Sequence, residues 1–438
     1  MLGEERIYIR GGIIIDPVEN GIYEGDLLIE GEKITELFTK KEKMAGDFRI
    51  PENVQILEAE GMLIAPGLVD THVHFRDPGF TYKEDIISGA DAAKKGGYTG
   101  IVLMANTKPP VDNPQTLSYV LEKGRQTGIR IASCANVTRG MRGEELVDME
   151  RLCSCGAAGF TDDGIPLLKE ELVREAMLRA AKLDRPISFH EENPARITNN
   201  GINEGEASAF YGIGGSPREA EIDLVERDLA LALETGAEIV IQHVSTREAV
   251  ELIRRAKRRG ARVHAEVTPH HFTLTQKAVI EKGTMAKMNP PLREEEDRLA
   301  LIRGLSDGTI DLIATDHAPH SREEKERDIT SAPSGIIGLE TALSLGIREL
   351  IKPGHLTLPQ LFQRMSTTPA DLYGLRGGRI GPGEDADLVI FHPKETWVAG
   401  NYASKSSNSP FTGQTMSGAV YYTMCGGRIV YQKKGTKS

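Results

Sequence analysis

The pattern of apolar and polar positions changes twice along the chain. Residues 7–60 hold short apolar runs separated by turn residues, as at 26–29 and 33–37, and this texture is typical of β-strands. Residues 375–432 repeat it, with Gly-rich turns between the apolar runs. The two flanks therefore predict one small β domain built from both chain ends, with a different kind of structure inserted between them.

The inserted part alternates regularly between strand-like and helical patterns. Strands are predicted at residues 63–72, 100–104, 130–135, 157–161, 186–190, 238–243, 262–267 and 311–315. Helical patterns lie between them, for example at residues 82–95, 169–182, 217–235 and 246–260. This order predicts an α/β fold: a (β/α)8 TIM-like barrel at residues 62–370, with a small β-sandwich domain from residues 1–61 and 371–438.

Metal-ligating residue types lie at the carboxyl ends of five predicted strands, where a barrel of this kind carries its active site. Within a strand, residues two apart face the same side, so a His-x-His pair projects together. One such residue alone is weak evidence, but their convergence on one rim predicts a metal site. These residues are His72, His74, the Asp162-Asp163 pair, His190, His243 and Asp316.

The number of ligands indicates two ions. One tetrahedral zinc takes four ligands, whereas two ions about 3.5–4 Å apart share a bridging oxygen. The aspartate pair of the fourth strand offers a bridging carboxylate. The imidazole content favours zinc, although the pattern also permits manganese or cobalt.

Composition and charge argue against several classes of protein. The chain has 438 residues and a net charge of −11, which argues against a nucleic-acid partner. The basic run at residues 254–259 ends a helical pattern, where it complements the helix dipole. No apolar run reaches the roughly 20 residues that span a membrane. Residues 1–5 lack the features of a signal peptide, and four cysteines are too few for a disulfide framework, so we expect a cytoplasmic protein.

Two segments of the chain have a distinctive sequence: residues 72–79 read His-Val-His-Phe-Arg-Asp-Pro-Gly, and residues 314–320 read Ala-Thr-Asp-His-Ala-Pro-His. They resemble signature segments of the dihydroorotase family in the amidohydrolase superfamily. Residues 104–110, 160–164 and 288–293 resemble further segments of the same family. The resemblance covers nearly the whole chain. The resemblance is strongest to the bacterial class that has an aspartate at the fourth strand. Other relatives have a carboxylated lysine at that position.

The resemblance implies a role for each metal ligand. Asp316 joins the histidine pair of the first strand at one ion, and the histidines of the fifth and sixth strands hold the other. Asp163 is the residue implied to bridge the two ions, because its separation from His190 along the sequence matches the family's spacing (190 − 163 = 27). Asp162 is then expected to cap or orient neighbouring groups and not to bridge the ions. The ligands implied are His72, His74, Asp163, His190, His243 and Asp316.

The resemblance also implies contacts with a substrate that carries a carboxylate. A guanidinium such as that of Arg76 binds a carboxylate through two parallel hydrogen bonds. Ser334 stands where the family often has phenylalanine. We therefore expect the backbone contact with the substrate at this position, but with different side-chain packing. The contacts implied are His74, Arg76, Asn106, Asn289, His320, Ser334 and Gly335.

The activity implied is the reversible conversion of dihydroorotate and N-carbamoyl-L-aspartate in de novo pyrimidine biosynthesis. Asp316 serves as general acid and base, and the cofactor is zinc, two ions per chain. The resemblance further implies a homodimer and an association with aspartate transcarbamoylase.

Two alternatives remain open. One is a hydantoinase, dihydropyrimidinase or allantoinase, against which the strand-four aspartates and Arg76 argue. The other is an inactive scaffold for a transcarbamoylase, against which the complete ligand set argues.

Overall fold

The structure is a computed structural model that describes residues 6–40, 42, 50 and 52–435. Residues 1–5, on which the expectation about a signal peptide was based, lie outside this range. The strands are β1 Arg6–Asp16, β2 Gly21–Glu30, β3 Lys33–Thr39, β4 Gln55–Glu58, β5 Leu63–Pro66, β6 Leu68–Val73, β7 Tyr98–Leu103, β8 Arg130–Ser133, β9 Phe160–Thr161, β10 Ile187–Phe189, β11 Ile239–Ile241, β12 Val263–Val267, β13 Leu312–Ile313, β14 Leu388–Val398, β15 Thr415–Cys425 and β16 Arg428–Gln432.

Strands β6 to β13 form a closed parallel ring. They are ordered β6-β7-β8 in one sheet and β9-β10-β11-β12-β13 in another. Single parallel bridges, Ala135 with Phe160 and Val73 with His317, join the two sheets on both sides. The predicted eight-stranded barrel is therefore confirmed. Seven of its eight strands are shorter than predicted, and β7 is one residue longer. The strand predicted at 63–72 is divided, because residues 63–66 form β5, which pairs with β1 and β14 and not with the barrel.

Helices on the outside of the barrel connect successive strands, and local sequence explains where they start. Asp85 and Ser88 form a capping box before the first connecting helix, and Thr246 accepts a hydrogen bond from the Ala249 N–H at another. The α-helices are Ile86–Gly96, Pro114–Gly124, Met149–Ser154, Glu170–Leu183, Glu206–Tyr211, Glu219–Thr235, Arg247–Arg258, Pro269–Thr273, Lys277–Lys282, Glu295–Asp307, Arg322–Lys325, Ala342–Gly346, Leu358–Phe362 and Thr368–Tyr373. None of the helices within the described ranges is both long and apolar enough to cross a membrane.

The two chain ends combine in one eight-stranded sheet with the order β16-β15-β14-β5-β1-β2-β3, in which β4 also pairs with β1. Strand β5 joins the ends, because it pairs in parallel with β1 and antiparallel with β14. A separate apolar cluster fills this part, distinct from the barrel core. The fold class, a barrel with a smaller β-sandwich from both ends, is thus as predicted, while the domain limits at residues 61/62 and 370/371 stay a prediction.

Candidate metal centre and active site

The carboxyl rim of the barrel holds an unusual concentration of left-handed backbone. Arg76, His243 and Asp316 have φ values of 59°, 32° and 47°, although none of them is glycine. Such conformations cost about 1–3 kcal/mol each and cluster where a side chain must be aimed at a site. Three residues that the sequence analysis predicted to contact metal or substrate therefore share a strained backbone at one rim.

The first cluster of ligand atoms comes from strand β6, from the residue just after it, and from the loops after β9 and β13. The Nε2 atom of His72 lies 3.4 Å from an oxygen of Asp163, and the Nε2 atom of His74 lies 3.4 Å from the other oxygen. Asp316 Oδ1 lies 3.0 Å from His74 Nε2 and 3.6 Å from His72 Nε2. All four side chains are buried. They surround one small volume, as the ligands of a single ion do.

The second cluster shares Asp163 with the first. His190 Nδ1 lies 3.7 Å from Asp163 Oδ1, and His243 Nε2 lies 3.8 Å from the same oxygen. The two histidine nitrogens are themselves 2.9 Å apart. The ligand atoms of His72, His74 and Asp163 lie within 4.8 Å of one another, and so do those of Asp163, His190 and His243, so both groups can hold a metal ion. The carboxylate of Asp163 therefore belongs to both clusters.

Buried atoms without a partner support a metal ion here. His72 Nε2 and Asp163 Oδ1 are shielded from solvent, and no group in the described part of the chain forms a hydrogen bond with either. Such atoms cost stability unless something satisfies them. Imidazole nitrogens and carboxylate oxygens are also the donors that zinc takes. The residues therefore fit a divalent metal centre.

The two neighbouring aspartates, Asp162 and Asp163, have different electrostatic surroundings. Burial alone would raise the pKa of Asp163, but His72, His190 and His243 lower it well below its usual range. Burial raises the pKa of Asp162, whose carboxylate instead accepts hydrogen bonds from the backbone N–H groups of Val137 and Thr138. Asp163 thus faces the histidines as an anion, and Asp162 anchors the loop after β8.

Glu266 is a functional residue that the sequence analysis missed. It lies on β12, where its two oxygens accept hydrogen bonds from Thr71 Oγ1 at 2.7 Å and from His72 Nδ1 at 3.1 Å. This contact fixes the His72 ring so that Nε2 faces the cluster. The available signal was a carboxylate within the otherwise apolar end of a buried strand, Val-His-Ala-Glu-Val.

We expect Glu266→Gln to weaken metal binding about 10–100-fold, because the neutral amide holds the His72 ring less firmly and makes it a poorer ligand. Metal titration of the apoprotein measures the change. Glu251→Gln, on an outer helix where Glu251 contacts Arg254 and Arg255, is the matched control and should leave the affinity unchanged. Equal metal affinity in Glu266→Gln and the wild type would contradict the role.

The cavity above the clusters has a volume of about 420 Å³ and is lined by every residue predicted to contact the substrate. Arg76 lies at its edge, with Nη2 3.5 Å from His320 Nε2. Burial and the nearby cations Arg76 and Lys83 lower the pKa of His320, so its imidazole is neutral. Nε2 of this ring then donates to the Ser334 carbonyl at 2.8 Å. This edge of the cavity is positively charged and suits an anionic group.

Three of the residues predicted to contact the substrate already contact other groups of the protein. The amide of Asn106 accepts from His74 Nδ1 at 2.9 Å and donates to Asp163 at 3.2 Å. The N–H of Gly335 donates to the Lys287 carbonyl at 2.9 Å. Asn289 Nδ2 lies 3.3 Å from His190 Nε2, while its oxygen is buried without a hydrogen-bond partner among the described residues.

His270 and His271, which were left out of the site, are buried beside it, and His271 bonds the Pro290 carbonyl.

Comparisons with known proteins agree with this geometry. Residues 61–249 match the family described as Dihydro-orotase-like. The chain is 51% identical over 425 residues to the dihydroorotase of Clostridioides difficile strain 630, covering 97% of this chain and 99% of the relative. It is 45% identical over 430 residues to the dihydroorotase of Clostridium acetobutylicum, covering 98% and 100%.

Among solved structures, the L-hydantoinase (dihydropyrimidinase) of Arthrobacter aurescens superposes with a TM-score of 0.85 at 25% identity, covering 99% of this chain and 98% of that one. It has the same fold, whereas the level of identity is far higher to the dihydroorotases. Full-length identity and the two metal-binding clusters lead to one conclusion: the chain belongs to the dihydroorotase family of the amidohydrolase superfamily.

Proposed function

We propose that this protein interconverts dihydroorotate and N-carbamoyl-L-aspartate in de novo pyrimidine biosynthesis, with Asp316 as the general acid and base. The observation that carries the proposal is the carboxylate of Asp163, which two pairs of histidines share beneath a cavity with a cationic edge. The names of the full-length relatives supply the substrate.

The proposed cofactor is zinc, two ions per chain. His72, His74 and Asp316 would hold one ion and His190 and His243 the other, with the carboxylate of Asp163 available to both. When bound, such ions lower the pKa of a coordinated water toward about 7 and polarise an amide carbonyl.

Asp316 is placed to move a proton. Burial would raise its pKa, but the hydrogen bond with His74 and the nearby His72 lower that pKa below the usual range, so the carboxylate is ionised and can accept a proton. It lines the cavity and can pass the proton to the leaving ring nitrogen as the amide bond breaks. In ring closure the same carboxylate removes a proton from the attacking nitrogen.

The substrate carboxylate is proposed to bind at the cationic edge, with Arg76, Asn106 and His320. The ring is proposed to lie against His74, Asn289 and the backbone of Ser334 and Gly335. Arg76 is partly buried, and its Nε donates to the Pro319 carbonyl at 3.3 Å, so the guanidinium is held in place before the substrate arrives.

We expect Arg76→Ala to raise the KM for dihydroorotate about 100-fold, since a charge-assisted contact to the carboxylate is lost in ground state and transition state alike. Steady-state kinetics measures it. Arg258→Ala, on the exposed end of an outer helix, is the control and should keep the wild-type KM. An unchanged KM in Arg76→Ala would remove this residue from the carboxylate site.

The test of the function is an assay of dihydroorotate and N-carbamoyl-L-aspartate turnover in both directions, combined with metal analysis of the same protein. Dihydropyrimidine, hydantoin and allantoin serve as competing substrates. Turnover of these without turnover of dihydroorotate would overturn the proposal. Full metal content without activity, with activity regained on adding aspartate transcarbamoylase, would favour the scaffold role.

We further propose a homodimer that associates with aspartate transcarbamoylase in the cytoplasm. The four cysteines are free thiols, as expected in a reducing compartment. Light scattering of the purified chain, alone and with the transcarbamoylase, tests both assemblies.

A further inference from the structure

Two buried lysines hold the loop at residues 329–335, which forms one wall of the cavity. Lys287 Nζ donates to the carbonyls of Ile329 and Ala332, both at 2.8 Å. Lys325 Nζ donates to the carbonyls of Pro333 at 2.8 Å and of Gly335 at 3.1 Å. Buried lysines are ordinarily paired with a carboxylate.

These lysines are held at an electrostatic cost. Lys325 is 1% exposed and Lys287 is 4% exposed, and neither forms an ion pair within the ranges described here. Burial, with Lys287 nearby, lowers the pKa of Lys325 to about 7. Water could also bond the backbone carbonyls of a surface loop. Because the two lysine side chains are themselves held in place, their bonds give this loop a fixed shape, which bonds to water would not.

The peptide group between Pro333 and Ser334 connects Lys325 with the cavity. This group is planar and trans, so its N–H points away from its C=O. Because Lys325 fixes the carbonyl, it also fixes the direction of the Ser334 N–H. Ser334 lines the cavity, and its N–H has no hydrogen-bond acceptor among the residues that the structure describes. The neighbouring N–H of Gly335 is already bonded to the Lys287 carbonyl.

We propose that Lys325 is a positioning residue for the cyclic substrate: through the Pro333 carbonyl it aims the Ser334 N–H at a carbonyl oxygen of the substrate ring. A donor to the C=O also polarises the peptide and strengthens its N–H as a donor. Lys287 holds the preceding part of the same loop. This inference rests on the proposed function, which supplies the cyclic substrate.

The test is Lys325→Met, which keeps the length and the apolar stem of the side chain and removes the donor. We expect KM for dihydroorotate to rise about tenfold with kcat within about twofold of wild type, since an oriented contact to the bound ring is lost. Arg322→Met is the matched control on the same short helix, where Arg322 is exposed and contacts Glu326, and it should keep the wild-type KM. Metal content is measured on all proteins.

An unchanged KM with a lower kcat in Lys325→Met would overturn the proposal, because a merely structural role reduces the active fraction and leaves substrate affinity alone. If Lys325→Met does not fold, Lys325→Gln replaces it. Its amide is one bond shorter and cannot reach both carbonyls, so an increase in KM supports the proposal and an unchanged KM overturns it. If neither variant folds, the lysine is structural and the proposal fails. Absence of dihydroorotate turnover in the wild type would instead refute the proposed function.

Discussion

Replacing Asp316 with alanine is expected to lower kcat for dihydroorotate in both directions by about a thousandfold or more, with metal still bound. The size follows from the loss of a general acid and base, which contributes about 10²–10⁴-fold. Metal is expected to remain because the two histidine pairs and Asp163 still surround the site. The measurements are kcat in each direction and metal per chain on the same sample.

Asp311→Ala provides the control for that variant. Asp311 precedes the same strand, β13, at its amino end, and it bonds His264 Nδ1 at 2.7 Å, away from the cavity. It should keep the wild-type kcat. Loss of both metal and activity in Asp316→Ala would show that Asp316 acts mainly as a structural ligand and would contradict its role in proton transfer.

The two adjacent aspartates are expected to behave in opposite ways when each is changed to asparagine. Asp163→Asn should reduce the metal content and lower kcat about a thousandfold or more, because the bridge between the histidine pairs is lost. Asp162→Asn should keep the metal. It should lower the free energy of unfolding by about 1–3 kcal/mol, because backbone donors of the loop after β8 lose a charged acceptor.

Each variant is the control for the other, since the two residues are neighbours with the same side chain. Metal analysis, kcat and chemical denaturation are measured on both. Loss of metal in Asp162→Asn with retention in Asp163→Asn would exchange the roles assigned to the two residues.

The barrel and the position of its site could be predicted because the chemistry lies at strand ends. Each predicted strand ended close to a polar residue, and parallel strands of a barrel bring such ends to one rim. His190 and Asp316, far apart in sequence, thereby enter the same cavity. Strand limits were less predictable, because β9 and β13 have only two residues each and their ladders give way to bridges.

Side chains that act through another residue could not be predicted. Glu266 lies between the apolar residues Ala265 and Val267 of its strand, and only the fold brings it to His72. Lys325 follows the charged sequence Arg-Glu-Glu, which is typical of a solvated surface, yet its ammonium is buried against carbonyls. Strand alternation separates Asp162 from Asp163 but does not decide which of them faces inward.

The pairing of β5 with β14 has a consequence for biosynthesis. In this pairing Leu388 contacts Pro66, a partner made 322 residues earlier (388 − 66 = 322). During translation one edge of β5 therefore emerges from the ribosome long before the strand that covers it. Open strand edges promote association between chains, so a nascent or truncated chain that stops before Leu388 carries an aggregation-prone edge that the finished protein conceals.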